Sequence, residues 1–173
     1  AERGGTFHQL GAQMAQLHLI SDAWTLPDDF TRPAWDMDGL IGEAPLWGRF
    51  WENPTLDADD RALLKRFRDH ASEAFARDAD TFDYGLIHAD LVRENIMLDA
   101  GKMHFIDFDD GGFGYRLFDI ATALLKNHAE PDYGDLRHAL IAGYESVRAI
   151  DTRAFDLFMA LRAVTYVGWI VPR

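Results

Sequence analysis

Between Gly85 and Asp109 the chain carries a histidine, an asparagine and several aspartates whose types and spacing can do chemistry: His88-Ala89-Asp90, Asn95, and Ile106-Asp107-Phe108-Asp109. A carboxylate and an amide oxygen brought to one point suit a hard cation such as Mg²⁺, which takes oxygen ligands and keeps waters that substrate phosphates displace. A second carboxylate beside them can accept a proton from a hydroxyl. This is the set used in phosphoryl transfer, where the Asp of an H-x-D-x-x-x-x-N loop orients the acceptor while the Asn and a later Asp hold the metal. On this reading Asp90 is the catalytic base, and Asn95 and Asp107 bind Mg²⁺ and, through it, ATP. His88 supports the site by fixing the loop, because a buried imidazole needs partners for both nitrogens. Asp109, Asp110 and Arg93 are near enough to contribute, but nothing in their spacing requires it.

These residues need an element that gathers them. Ile96-Met97-Leu98 and Met103-His104-Phe105-Ile106 are β-prone runs separated by Asp99-Ala100-Gly101-Lys102, a turn whose glycine takes a positive φ at no cost. Paired antiparallel, the two runs bring Asn95 and Asp107 to the open end of a hairpin, and Asp90 arrives on the loop feeding that end. Gly111-Gly112-Phe113-Gly114 lacks the lysine and Ser/Thr of a P-loop and reads as a flexible turn.

His88-Ala89-Asp90, Asn95 and Ile106-Asp107-Phe108-Asp109 together resemble the aminoglycoside phosphotransferase and choline kinase-like family, with a leaning towards its homoserine kinase-type bacterial members. The likeness is sharpest from Leu86 to Leu125, and Leu10 to His18 is similar to the family's first helix after the interlobe linker. It implies an α+β, predominantly helical fold: the C-terminal lobe of a protein kinase-like fold, with a small β-hairpin at the catalytic site. It also implies that Asp119 is a buried brace of the catalytic loop. Two departures from protein kinases stand out. Val92 occupies the position of their lysine, and Asp107-Phe108-Asp109 replaces Asp-Phe-Gly, which is similar to the small-molecule kinases and points away from a protein substrate.

The remainder reads as helices. Thr6-Phe7-His8-Gln9 has capping-box spacing ahead of a stripe of Phe7, Leu10, Met14 and Leu17 that runs to about Ile20. His18, at the end of that stripe, is expected to be packed with its ring satisfied. From Ser21 to Pro54 four prolines and four tryptophans suggest irregular structure plugged onto the core by Trp24, Trp35, Trp47 and Trp51; an aromatic cage for an ammonium group is the sharper alternative. Asp57 opens a helix to about Arg77 with Leu63, Phe67, Ala71 and Ala74 inward and Lys65, Arg66 and Arg68 in solvent. Further helices are expected over 115–127, 132–149 and 152–170.

With 173 residues, 48% of them hydrophobic, the chain can bury one sizeable core, and no apolar run reaches the ~20 residues of a membrane span. A net charge of −12 disfavours nucleic acid and anionic membrane as partners. The absence of cysteine removes disulfides, and a cytoplasmic setting is expected.

A kinase of this kind also needs a glycine-rich phosphate loop and a strand lysine upstream of the catalytic loop. The one upstream lysine is Lys65, on a helix. Residues 1–173 are therefore expected to be a catalytic C-terminal lobe whose N-terminal nucleotide-binding lobe is absent, cut at the other end near Val164–Val171. The expected activity is ATP- and Mg²⁺-dependent phosphoryl transfer to a hydroxyl of a small molecule (amino alcohol, homoserine or aminoglycoside), weak in this fragment alone. Two alternatives remain at this point: a degenerate module that binds a small amine without transfer, and a dinuclear metal hydrolase built on His88, Asp90, Asp107 and Asp109.

Overall fold

A computed structural model describes residues 2–170, so Ala1 and Val171, with the two residues after it, lie outside the description. Six α-helices and five short strands run in the order α1 (Glu2–Ala23), β1 (Ala34–Trp35), α2 (Met37–Ile41), α3 (Ala58–Asp78), β2 (Tyr84–Ile87), β3 (Ile96–Asp99), β4 (Lys102–Phe105), β5 (Gly112–Tyr115), α4 (Arg116–Leu125), α5 (Tyr133–Glu145) and α6 (Phe155–Trp169). The fold is α+β and predominantly helical, as expected. None of the described helices is long and apolar enough to cross a membrane.

The hairpin forms where its sequence places it. Ile96 pairs with Phe105 and Asp99 with Lys102, and the two turn residues Ala100 and Gly101 both have positive φ, the twist a two-residue hairpin requires. Ile106 N–H donates to the Asn95 carbonyl at 3.1 Å, so the ladder continues one step past the strands to the open end.

The glycine segment is not a flexible turn. Gly112–Tyr115 is β5, the central strand of a second sheet in the order β1-β5-β2, parallel to β1 and antiparallel to β2. Its glycines allow close approach: a β-carbon on Gly112 would overlap the Pro33 carbonyl, and one on Gly114 would press on Ile87 and Trp35.

Other expectations shift along or around their elements. α1 begins at Glu2, four residues before the capping-box spacing, and Thr6 spends its hydroxyl on the Glu2 carbonyl within the helix. In α3, capped by the Asp57 carboxylate on the Asp60 N–H, Leu63 is 54% exposed and Leu64 packs inward in its place, one position round the helix. Arg68 is only partly in solvent. It lies 4.0 Å over the Trp51 ring and donates to the Ile41 carbonyl at 2.7 Å. Trp35 and Trp51 enter the core, Trp47 is half-buried, and Trp24 is half-exposed against Phe30 instead.

The core forms around α4, buried from Arg116 to Leu124, with α6 on one side and the crossing of α1 and α5 on another. That crossing is close because Gly11 and Gly143 face backbone: a β-carbon at Gly143 would overlap the His8 carbonyl, and one at Gly11 the Leu140 carbonyl. Gly143→Ala is accordingly expected to cost about 2–3 kcal/mol in urea unfolding, the upper part of the range for forced overpacking. Gly4→Ala, with nothing near its β-carbon, should instead gain about 0.5–1 kcal/mol from helix propensity. Equal effects at the two positions would refute the packing argument.

Candidate active site

The loop from His88 to Asn95 is held by Asp119, a fully buried carboxylate on α4. Its Oδ2 accepts from the His88 amide at 2.9 Å and its Oδ1 from the Ala89 amide at 2.7 Å. Oδ2 also accepts from His18 Nε2 at 3.0 Å, and His18 Nδ1 lies 2.8 Å from the Tyr144 hydroxyl. With Nε2 protonated towards Asp119, Nδ1 accepts from Tyr144 and the ring is neutral and satisfied. Burial lowers the His18 pKa, consistent with that form. Burial works to raise the Asp119 carboxyl, but the hydrogen bonds from His18 and the His88 amide outweigh it and keep it below the usual carboxylate range.

This anchoring imposes a conformation. Ala89 sits at φ 66 and Asp107 at φ 63, left-handed values uncommon for residues with a β-carbon. They occur one residue before Asp90 and at the proposed metal ligand, positions where surrounding contacts hold strain in place. His88 has both nitrogens engaged by backbone: Nε2 donates to the Ile106 carbonyl at 2.9 Å, while Nδ1 lies 3.4 Å from the Asp90 amide. Its ring also packs on Phe108 at 4.4 Å between centroids, which joins the Asp90 loop to the segment carrying Asp107.

Asn95, buried at 8% exposure, donates through Nδ2 to the Asp90 carbonyl at 2.9 Å and to Asp90 Oδ2 at 3.1 Å. The amide nitrogen is thus committed to Asp90, which leaves the Oδ1 oxygen as the atom available to a cation. Asp107 is exposed, on the residue after the Ile106–Asn95 hydrogen bond. Two oxygen donors of this kind fit Mg²⁺ shared with phosphate, which is bound by few protein ligands. They do not make a dinuclear cage: among the described residues no group of three or more His, Cys, Asp or Glu could hold a metal ion. His88, committed to backbone, is not free to join one.

Asp109 and Asp110 are tied into the fold. The Asp109 carbonyl accepts from Arg32 at 3.1 Å and the Asp110 carbonyl from the Trp35 indole at 2.8 Å. Arg93 is exposed.

One residue of the site was not singled out in the sequence. Arg162, fully buried on α6, donates from Nη2 to Asp90 Oδ1 at 2.7 Å. Its signal was a lone cation in an otherwise apolar helical stretch, Phe158-Met159-Ala160-Leu161-Arg162-Ala163-Val164. Burial raises the Asp90 pKa with help from the Asp110 charge, against the opposing pull of Arg162, His88 and Asn95. Burial likewise lowers the Arg162 pKa although Tyr166, Asp90, Asp110 and Asp119 all oppose it. For both partners desolvation exceeds the attraction between them, the usual balance for a buried ion pair.

The chain matches the phosphotransferase enzyme family over residues 1–164. It is 30% identical over 175 residues to a homoserine kinase of Neisseria meningitidis, an alignment covering 95% of this chain and 52% of that protein. Among solved structures it is similar to a microcompartment-associated aminopropanol kinase, with a TM-score of 0.84 at 34% identity, over 95% of this chain and 53% of the other. An amicoumacin kinase in complex with AMP-PNP, Ca²⁺ and amicoumacin shares the fold, with a TM-score of 0.73 at 22% identity, over 95% of this chain and 51% of that one. The chain spans about half the length of the curated relatives it matches. With a fold shared with these kinases and a family match along nearly its whole length, the chain belongs to the phosphotransferase enzyme family.

Proposed function

We propose that the chain is the catalytic, carboxy-terminal lobe of a phosphotransferase that moves the γ-phosphate of ATP to a hydroxyl of a small molecule of the amino alcohol, homoserine or aminoglycoside kind. The observation that carries this reading is the Asn95 side chain. Its Nδ2 grips the Asp90 carboxylate and carbonyl, so the proton acceptor and a metal ligand form one unit with the Asn95 oxygen to spare. In this reading Asp90 takes the hydroxyl proton as the acceptor oxygen bonds to the γ-phosphorus and the bond to the bridging oxygen of ADP breaks. Asn95 and Asp107 would hold Mg²⁺, which when bound neutralises charge on the β- and γ-phosphate oxygens. His88 and Asp119 keep Asp90 at a fixed height on its loop. The relatives' names support a small hydroxyl-bearing acceptor, and the AMP-PNP complex of a protein sharing the fold supports ATP. Such an enzyme would work in the cytosol, where ATP is supplied. The acceptor and ATP would meet between this lobe and an upstream nucleotide-binding lobe, which the residues before His88 do not supply. The chain alone should therefore turn over slowly.

ADP release by the full polypeptide, at the length of its relatives, against a panel of hydroxyl acceptors tests the reading. Release that depends on one acceptor is the expected result. Nucleotide binding with no release across the panel would overturn it in favour of a binding module.

A further inference from the structure

Arg162 is oddly provided for. Of its five N–H donors, Nη2 reaches Asp90 Oδ1 at 2.7 Å, Nη1 makes a long bond of 3.3 Å to Thr165 Oγ1, and the buried Nε has no partner among the described residues. Aromatic faces take the place of water. The guanidinium carbon lies 4.4 Å from the Tyr166 ring centre, 4.5 Å from that of Trp47 and 5.7 Å from that of Phe118, distances at which a ring face attracts a cation. The aromatic cage suggested by the tryptophan-rich segment thus exists in part, and the chain's own cation fills it.

The cage is itself anchored to the acidic segment after Asp107. The Trp47 indole lies 3.4 Å from Asp110 Oδ1, and Trp47 packs edge-on against Trp35, whose indole donates to the Asp110 carbonyl. Asp90 is therefore held from two directions, Oδ1 by Arg162 on α6 and Oδ2 by Asn95 at the mouth of the hairpin. A carboxylate held at one oxygen can still rotate about its bond to the β-carbon; held at both by groups on different elements, it presents one plane and one remaining lone pair per oxygen.

We propose that Arg162 is a positioning residue of the transfer reaction: a guanidinium seated on Trp47 and Tyr166 that fixes the Asp90 carboxylate for the acceptor hydroxyl. Charge alone is not enough for this, because lysine has neither the planar fork nor the stacking face of arginine. An ammonium group of an acceptor is not taken up between Trp47 and Tyr166, since Arg162 already occupies that place.

The proposal rests on the phosphotransferase reading, and its test has one arm that does not. In the full polypeptide, Arg162→Met keeps the apolar volume and removes the charge, while Arg162→Lys keeps the charge and removes the fork. Expressed per folded molecule, kcat of Arg162→Met should fall about 100-fold with KM for ATP within about twofold, as for a misplaced reacting group. Arg162→Lys should recover part of that loss, and it stands in as the test variant if Arg162→Met does not fold. A kcat per folded molecule within about threefold of the parent for both variants would mean a purely structural ion pair and overturn the proposal. Should the unmodified polypeptide transfer phosphate to no acceptor, the functional reading fails separately. A crystal structure of the variant then decides this one: an Asp90 carboxylate turned away from Asn95 Nδ2 supports it, and an unmoved carboxylate overturns it.

Discussion

In the full polypeptide, and on the proposed phosphotransferase reading, Asp90→Asn is expected to lower phosphoryl transfer by about 10³-fold, within the range for loss of a general base, and to weaken the fold at the same time. The second effect comes from Arg162. Its side chain is fully buried and, among the described residues, Asp90 is its one carboxylate partner, so the neutral amide leaves a guanidinium without a counter-charge. Removing one member of a buried pair typically costs about 3–5 kcal/mol; because Asp90 is 23% exposed and water can partly replace it, about 2–3 kcal/mol is the expected loss in urea unfolding. Adding Arg162→Met should restore most of that stability by removing the stranded charge, and should restore none of the transfer. The double variant therefore separates the catalytic role proposed for Asp90 from its part in the ion pair. If Asp90→Asn unfolded at the parent's urea concentration, Arg162 would have another partner than the structure shows. If it still released ADP at near the parent rate, Asp90 would not be the base.

Asp119→Ala should have the largest effect on stability. It takes the acceptor from the His88 amide, the Ala89 amide and His18 Nε2 together, all within the core. Stranded buried donors cost about 1–3 kcal/mol each, and with partial relaxation the sum is about 4 kcal/mol. The same cluster makes the fold sensitive to acid. Asp119 is held below its ordinary value of 3.8, so the folded state binds fewer protons there than the unfolded state. Its contribution is complete above that value and disappears as pH falls through the lower folded value. His18 is held neutral, below its ordinary 6.5. The unfolded chain gains a proton on this residue before the folded chain does, so the contribution of burying it neutral also shrinks as pH drops below 6.5. Both act in one direction. The urea midpoint should be lower at about pH 5 than at about pH 7.5, and His18→Gln should flatten that slope. A midpoint that rises on acidification would contradict a neutral His18 paired with an ionised Asp119.

How much of this was legible in the sequence depended on the range of the interaction concerned. The hairpin followed from β-prone runs around Ala100-Gly101, and helix α3 from Asp57 as its cap, because turn geometry and capping act over a few residues. The H-x-D-x-x-x-x-N spacing set Asp90 and Asn95 close together for the same reason, and the resemblance it carried extended to the family. Gly112–Tyr115 was misread because a strand buried between two others needs no alternating pattern, only backbone close enough to exclude β-carbons. Leu63 and Leu64 were exchanged because a stripe read by spacing alone is uncertain by one position, about 100° of helix.

The chemistry of the site, by contrast, depended on contacts between residues far apart in the chain. His18 meets Asp119 across 101 positions, and Arg162 meets Asp90 across 72. A histidine on an apolar stripe and an arginine in an apolar helix are visible in the sequence as exceptions, but their partners are not. The sequence by itself determined the residue types that could transfer a phosphate and the hairpin that gathers Asn95 and Asp107. Only the tertiary structure decided how Asp90 is aimed, because a buried charge is defined by what surrounds it, and those surroundings come from α4, α6 and the tryptophan-rich segment packing together.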